Sequence, residues 1–188
     1  MRPLSHIHIA HMFWQQIVAP GDTVIDATAG NGHDSHFLAS LALNSPEGRL
    51  IAFDVQQSAL DSTKSRLKEF DENQITLHLM SHSQIGEVCS PNSAKLIAFN
   101  LGYLPGGDKS LTTHLATTMI AIRASLELVV QGGMISITCY PGHDEGLVEE
   151  EAIVAFCKTL DAKQWSISSH TFLNRHRHPH LLLLQRII

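Results

Sequence analysis

Cysteine is scarce: Cys89, Cys139 and Cys157 are the only three in 188 residues, far apart and without a Cys-x-x-Cys pair. That spacing excludes a dense disulfide framework and argues against a thiolate zinc site, so a reducing cytoplasm is the expected compartment. Long apolar runs are also lacking. Stretches such as residues 181–184 fall far short of the roughly 20 residues that a membrane-spanning helix needs, and the N-terminus has no signal-peptide pattern. No membrane contact is expected. Positive charge is in deficit, with a formal net charge of −5. The chain as a whole therefore has no electrostatic footprint for nucleic acid, and any RNA contact must be local. One local cluster exists, Asn174, Arg175, His176, Arg177, His178 and His180, readable as a contact surface or as a solvated basic loop. There is no repeat, low-complexity tract or composition break, so residues 1–188 read as one domain, with an N-terminal helix at 1–20 and a core at 21–188.

Ile7, Ala10, Phe13, Trp14, Ile17 and Val18 recur at helical spacing until Pro20-Gly21-Asp22 breaks the pattern. Apolar runs at 23–28 and 49–55 read as buried strands around a helix at 33–43. A helix at 58–70, a strand at 75–80 and a strand at 95–100 continue the alternation. Leu111, Leu115, Met119, Ile122, Leu126 and Val129 mark a long helix that Gly132-Gly133 should stop before a strand at 134–140. After a helix at 145–160, apolar segments at 165–173 and 181–187 leave no room for a helix between them, which forces an antiparallel pair. The expected fold is α/β: a doubly wound, mostly parallel seven-stranded sheet ending in a C-terminal antiparallel hairpin. That is the Rossmann-like arrangement of class I methyltransferases.

Asp26-Ala27-Thr28-Ala29-Gly30-Asn31-Gly32 falls where the first strand turns into the first core helix, where open α/β sheets bind ligands. A Gly-x-Gly alone is equally a tight strand-to-helix turn. Its context is more telling. The second strand ends in Asp54, about 20 residues on, where a carboxylate can accept from both ribose hydroxyls of an adenosine, and Gln56 lies where it could border the adenine. A pyrophosphate at this helix N-terminus would meet Asp26 and Asp34, whereas S-adenosylmethionine, with a sulfonium and an amino group, would be attracted. Ser35 in place of a third glycine points the same way, although Asp34 also fits an ordinary first-turn carboxylate. The candidate cofactor residues are Asp26, Thr28, Gly30, Asn31, Gly32, Asp34, Asp54, Gln56 and Asn100.

On the substrate side, the fourth strand ends in Asn100-Leu101-Gly102-Tyr103-Leu104-Pro105-Gly106-Gly107-Asp108-Lys109, and the fifth in Tyr140-Pro141-Gly142-His143-Asp144. The first loop resembles the Asn-Pro-Pro-Tyr loop of amino-group methyltransferases, with Leu101 and Gly102 in the middle. An oxygen at Asn100 could therefore position a nitrogen. The candidate catalytic residues are Asn100, Tyr103, Asp108 and His143, the last two as alternative general bases. Leu101, Gly102, Lys109, Tyr140, Asn174, Arg175 and Arg177 are the candidate substrate contacts. The chain has 13 histidines, but none shows metal-ligand spacing with supporting carboxylates, and no native metal is expected.

Three of these blocks, Asp26 to Asp34, Asn100 to Lys109 and Tyr140 to His143, with Phe172-Leu173-Asn174 as a fourth, make the chain resemble the rRNA methylase family of small methyltransferases. The family includes the tRNA 5-aminomethyl-2-thiouridine methyltransferases. The resemblance covers nearly the whole length. It implies transfer of a methyl group from S-adenosylmethionine to the aminomethyl nitrogen of a wobble uridine, with the tRNA anticodon arm as partner. Ser35 stands where the family usually has threonine, and His178-Pro179-His180 replaces a proline pair. The residues also admit methylation of rRNA or of a small amine, a non-catalytic nucleotide-binding module, and, against the carboxylates at the turn, a nicotinamide-dependent oxidoreductase. A homodimer pooling two basic patches would give an acidic chain one way to hold RNA.

Overall fold

Successive side chains on a strand point to opposite faces, and the buried strands of this chain are apolar at consecutive positions, so both faces must be covered. The computed structural model describes residues 4–102, 112–142, 144–175 and 178–187. Among them, β1 (Thr23–Asp26), β2 (Arg49–Asp54), β3 (Ile75–Leu79), β4 (Ala94–Asn100), β5 (Val129–Cys139), β6 (Trp165–His170) and β7 (His180–Arg186) form one sheet in the order β3-β2-β1-β4-β5-β7-β6. The first five strands pair in parallel, and β7 runs antiparallel to both β5 and β6. This is the expected parallel sheet with its terminal hairpin.

The helices are α1 (His6–Ile17), α2 (His33–Ala42), α3 (Gln57–Arg66), α4 (Ile85–Val88), α5 (Leu115–Leu128) and α6 (Asp144–Cys157). Strand residues divide between two cores by parity. Val24, Leu50, Leu96, Ala98 and Leu183 pack with Ala10, Trp14 and Val18 at α1 and with Leu38, Ala39 and Ala42 of α2. Ile25, Phe53, Ile97, Phe99, Ile137 and Leu184 pack on the other face with Ala121 and Ile122 of α5 and Ile153 and Cys157 of α6. Each large side chain so buried stabilises the fold by ~1.5–3 kcal/mol. Trp14 in particular fixes α1 across β4, β5 and β7, which brings the first turn of α1 to the carboxyl edge of the sheet.

Several boundaries differ from expectation: α3 stops at Arg66 rather than at 70, α6 at Cys157 rather than at 160, α5 begins at Leu115 rather than near Leu111, and two strands differ as well. The fifth strand begins at Val129 rather than Met134, and α5 stops at Leu128. Gly132, at φ +71°, and Gly133, where a Cβ would lie 2.7 Å from the Lys95 carbonyl oxygen, sit inside the strand where the pairing register with β4 shifts. The glycines make room for a strand irregularity instead of ending a helix. The sixth strand ends at His170, so residues 171–175 belong to the loop that leads towards β7. Among the described residues, no helix is long and apolar enough to cross a membrane.

Candidate functional site

The strand order reverses between β1 and β4, and the crevice above their carboxyl ends is where this architecture exposes backbone to a ligand. β1 ends at Asp26. Its Oδ2 accepts the Ser35 hydroxyl at 2.6 Å, its Oδ1 accepts the Thr28 N–H at 3.1 Å, and the side chain is buried beneath the turn. Gly30 and Gly32 both have positive φ, +53° and +76°. A Cβ on Gly32 would stand 2.7 Å from Thr63 Cα, so the turn can approach α3 only without a side chain. Across the crevice, Asp54 at the end of β2 accepts the Gly30 N–H at 2.9 Å through Oδ2 and the Gln56 N–H at 2.8 Å through Oδ1. Arg66 of α3 donates to the Asn31 carbonyl at 2.9 Å. One carboxylate and one guanidinium thus hold the turn open.

The other wall starts at Asn100. Its backbone N–H donates to Thr28 Oγ1 at 2.7 Å, and its side-chain amide donates to Asp34 Oδ2 at 3.2 Å. Asp34, in the first turn of α2, also receives His11 Nε2 at 2.8 Å on Oδ1, and the His11 ring lies flat on Phe37 at 3.8 Å. After β5, the Tyr140 hydroxyl meets His6 Nε2 at 2.8 Å, with the two rings edge to face. A continuous set of polar contacts therefore runs from α1 through the ends of β4 and β5 to α2.

The site is negative at its floor. Burial, reinforced by Asp34, pushes the Asp26 carboxyl up to about 7, against the hydrogen bonds from Ser35 and Thr28. Burial likewise pushes the Tyr140 hydroxyl up to about 12, with Asp34 adding to the effect and a side-chain hydrogen bond from Asn100 opposing it. A crevice in which burial, with a second carboxylate close by, drives one carboxyl towards its neutral form would favour a positive charge. S-adenosylmethionine, cationic at sulfur and at its amino group, fits this donor set. Asp34 would meet that charge with the buried Asp26 behind it, Asp54 would offer its remaining lone pairs to ribose hydroxyls, and the Gly30–Gly32 backbone would leave the space.

The structure brings Asp26, Thr28, Gly30, Gly32, Asp34, Asp54, Gln56, Asn100 and Tyr140 together at the carboxyl edge of the sheet, with Asn31 in the same turn. Leu101 is buried and its N–H is held by the Thr138 carbonyl, so only its backbone can reach a substrate. Gly102, at φ +120°, is tied to Thr113 through both backbone groups. Asn174 and Arg175 are exposed in the loop that leads towards β7, and the Arg175 guanidinium lies 5.1 Å from the Phe172 ring centroid. Tyr103, Asp108, Lys109, His143 and Arg177 lie outside the described residues. Participants not foreseen include His6, His11, Arg66, Thr113 and Glu149. Glu149 of α6 is buried and accepts the hydroxyls of Thr113, at 3.0 Å, and Thr118, at 2.6 Å. The two departures from the family pattern also gain a physical account. Ser35 supplies the hydroxyl that Asp26 needs, as a threonine would. His180 is a buried anchor hydrogen-bonded to Glu150 and to Ser169.

Residues 50–186 match the model of the family described as "Putative rRNA methylase". The chain is 36% identical over 184 residues, 94% of its length and 67% of the relative's, to the chloroplastic tRNA (mnm(5)s(2)U34)-methyltransferase of Arabidopsis thaliana. It is similar to the crystal structure of a "putative rRNA-methylase" from Clostridium thermocellum, with a TM-score of 0.91 and 34% identity over the whole of both chains. The structure of a "putative methyltransferase" from Streptococcus mutans in complex with SAH has a TM-score of 0.87 and 33% identity over 99% of this chain and 100% of that one.

Proposed function

Since the chain belongs to the rRNA methylase family and is an S-adenosylmethionine-dependent methyltransferase, we propose that it methylates the aminomethyl nitrogen of 5-aminomethyl-2-thiouridine at the tRNA wobble position. The observation that carries this reading is the clamping of Asn100. Its backbone is fixed by Thr28 and its amide nitrogen is committed to Asp34, which leaves its carbonyl oxygen as the atom able to accept from a substrate N–H. The Arabidopsis relative's name supports the choice of an RNA nitrogen. Bound at the Gly30–Gly32 turn, S-adenosylmethionine supplies a methyl group on a positively charged sulfur. The residues around it have to present a neutral nitrogen in line with that methyl. Asn100 and the Leu101 carbonyl orient the amine, while Asn174, Arg175, Arg177 and Lys109 are the contacts proposed for the anticodon arm.

The test is to incubate the protein with S-adenosylmethionine and two tRNA pools, one with 5-aminomethyl-2-thiouridine and one lacking the aminomethyl group, then to weigh the digested nucleosides. Only the first pool should gain a methyl. Binding of S-adenosylmethionine with neither pool changed would overturn the substrate and turn the search to rRNA and small amines. Of these, an RNA substrate would show binding that weakens steeply with salt.

A further inference from the structure

His6 opens α1, yet its ring nitrogen is spent on a residue 134 positions away, at the end of β5. No helix cap or sheet bond requires that contact. The hydrogen-bond roles follow from one fixed point, because an ionised Asp34 can only accept. Asn100 directs its amide nitrogen to Asp34 at 3.2 Å, and its side chain also hydrogen-bonds Tyr140 in the sense that favours the phenolate, as a donor would. The phenol hydrogen is then left for His6, so Nε2 holds a lone pair towards Tyr140 and the ring hydrogen sits on Nδ1. We propose that His6, through the Tyr140 hydroxyl, takes up the proton that the substrate amine loses before methylation, an inference that rests on the amine-substrate reading.

The step balances without a co-reactant. An ammonium N–H bond breaks as an O–H bond forms at Tyr140, and the original Tyr140 proton passes to His6 Nε2. The positive charge moves from the substrate nitrogen to the imidazole. Tyr140 relays the proton but cannot store the charge, because burial holds its hydroxyl near 12. His6 can store it. Burial lowers its pKa below the ordinary value of 6.5, with Asp34 on α2 working against this and His178 from the loop before β7 adding to it, so the ring is neutral and receptive at pH 7. It is only half-buried, which lets it return the proton to water. His6 acts through Tyr140 and is thus a positioning residue for the proton, not a contact of the reacting atoms.

The experiment has a spectroscopic arm and a kinetic arm. In protein labelled with 15N at histidine, without substrate, His6 should titrate below 6.5 with its neutral-form hydrogen on Nδ1. Tyr140→Phe should raise that titration by removing a donor that favours the neutral ring. In single turnovers with S-adenosylmethionine and tRNA carrying 5-aminomethyl-2-thiouridine, the wild-type rate should fall as pH drops through the His6 titration, because a protonated ring cannot accept. His6→Gln should lose about tenfold or more in rate at pH 7, lose that acid inflection and regain rate with added imidazole, while keeping its affinity for S-adenosylmethionine. If His6→Gln does not fold, Tyr140→Phe provides the same kinetic comparison. A variant with the wild-type rate and pH profile, or a neutral His6 protonated on Nε2, would overturn the proposal. A wild-type protein that binds S-adenosylmethionine but leaves this tRNA unmethylated would overturn the substrate reading, and this inference with it.

Discussion

A methyl group at position 32 would sit 2.7 Å from Thr63 Cα and 2.8 Å from its hydroxyl oxygen, on a backbone at φ +76°. Alanine pays roughly 1–2 kcal/mol for a left-handed conformation, and here α3 must also retreat. Gly32→Ala should therefore destabilise the protein by about 2–4 kcal/mol, lowering its melting temperature by roughly 5–15 °C, and should weaken S-adenosylmethionine binding together with it. A Gly32→Ala protein that melts within a degree or two of the parent would show that α3 yields freely. The need for glycine at this position was legible, because strand, Gly-x-Gly, helix and a later acidic strand end form a local pattern whose spacing is set by covalent connectivity. His6 and His11 had no such pattern. They read as polar positions of an amphipathic helix, and nothing in their neighbourhood indicates that Trp14 docks α1 so as to deliver one ring to Tyr140 and the other to Asp34.

Gly102 and Thr113 are tied to each other, and a side chain from another element holds Thr113. Thr113 donates its hydroxyl to Glu149 of α6 while accepting the Gly102 N–H at 2.9 Å, and Thr118 of α5 donates to the other Glu149 oxygen. Glu149→Ala would leave two hydroxyls without their acceptor in a buried place, at about 1–3 kcal/mol for an unsatisfied group. Methyl transfer should slow and the KM for RNA should rise, whereas affinity for S-adenosylmethionine, whose turn lies on the far wall, should stay within about twofold. Glu149→Gln keeps an acceptor and should lose less. An unchanged melting temperature in Glu149→Ala would remove the clamp from the account. Within Glu149-Glu150-Glu151 the residue looks like part of a solvated acidic face, and only the packing of α6 on α5 singles it out. The elements themselves were far more legible. Consecutive apolar positions gave the two-faced strands, and the absence of space for a helix after residue 173 forced the terminal hairpin. The error at Gly132-Gly133 arose because a glycine pair serves a helix end and a strand irregularity equally well until the neighbouring strand is known.

Charge couples the site to the stability of the entire chain. Asp26 titrates at about 7 when folded, against an ordinary value of 3.8, mainly because burial disfavours its anion and Asp34 repels it. A carboxyl with a raised folded pKa costs nothing below its unfolded value and its full penalty above its folded one, here on the order of 4 kcal/mol. The ligand-free protein should thus lose stability from Asp26 as pH rises from about 4 to about 7, and Asp26→Asn should flatten that part of the profile. A cation bound beside Asp34 reverses the repulsion, drives Asp26 towards its anion and releases a proton. Binding must therefore tighten with rising pH through the same window, by linkage. Thermal melts at pH 5.5 and pH 8 should accordingly show a larger stabilisation by S-adenosylmethionine at pH 8. S-adenosylhomocysteine, neutral at sulfur, should show a smaller difference between the two. Equal pH dependence for both ligands would mean that the sulfonium does not sense the carboxyls at the floor of the crevice. The acidity of a chain with net charge −5, unfavourable for RNA at large, would then have to be explained by something other than attraction of a cationic cofactor.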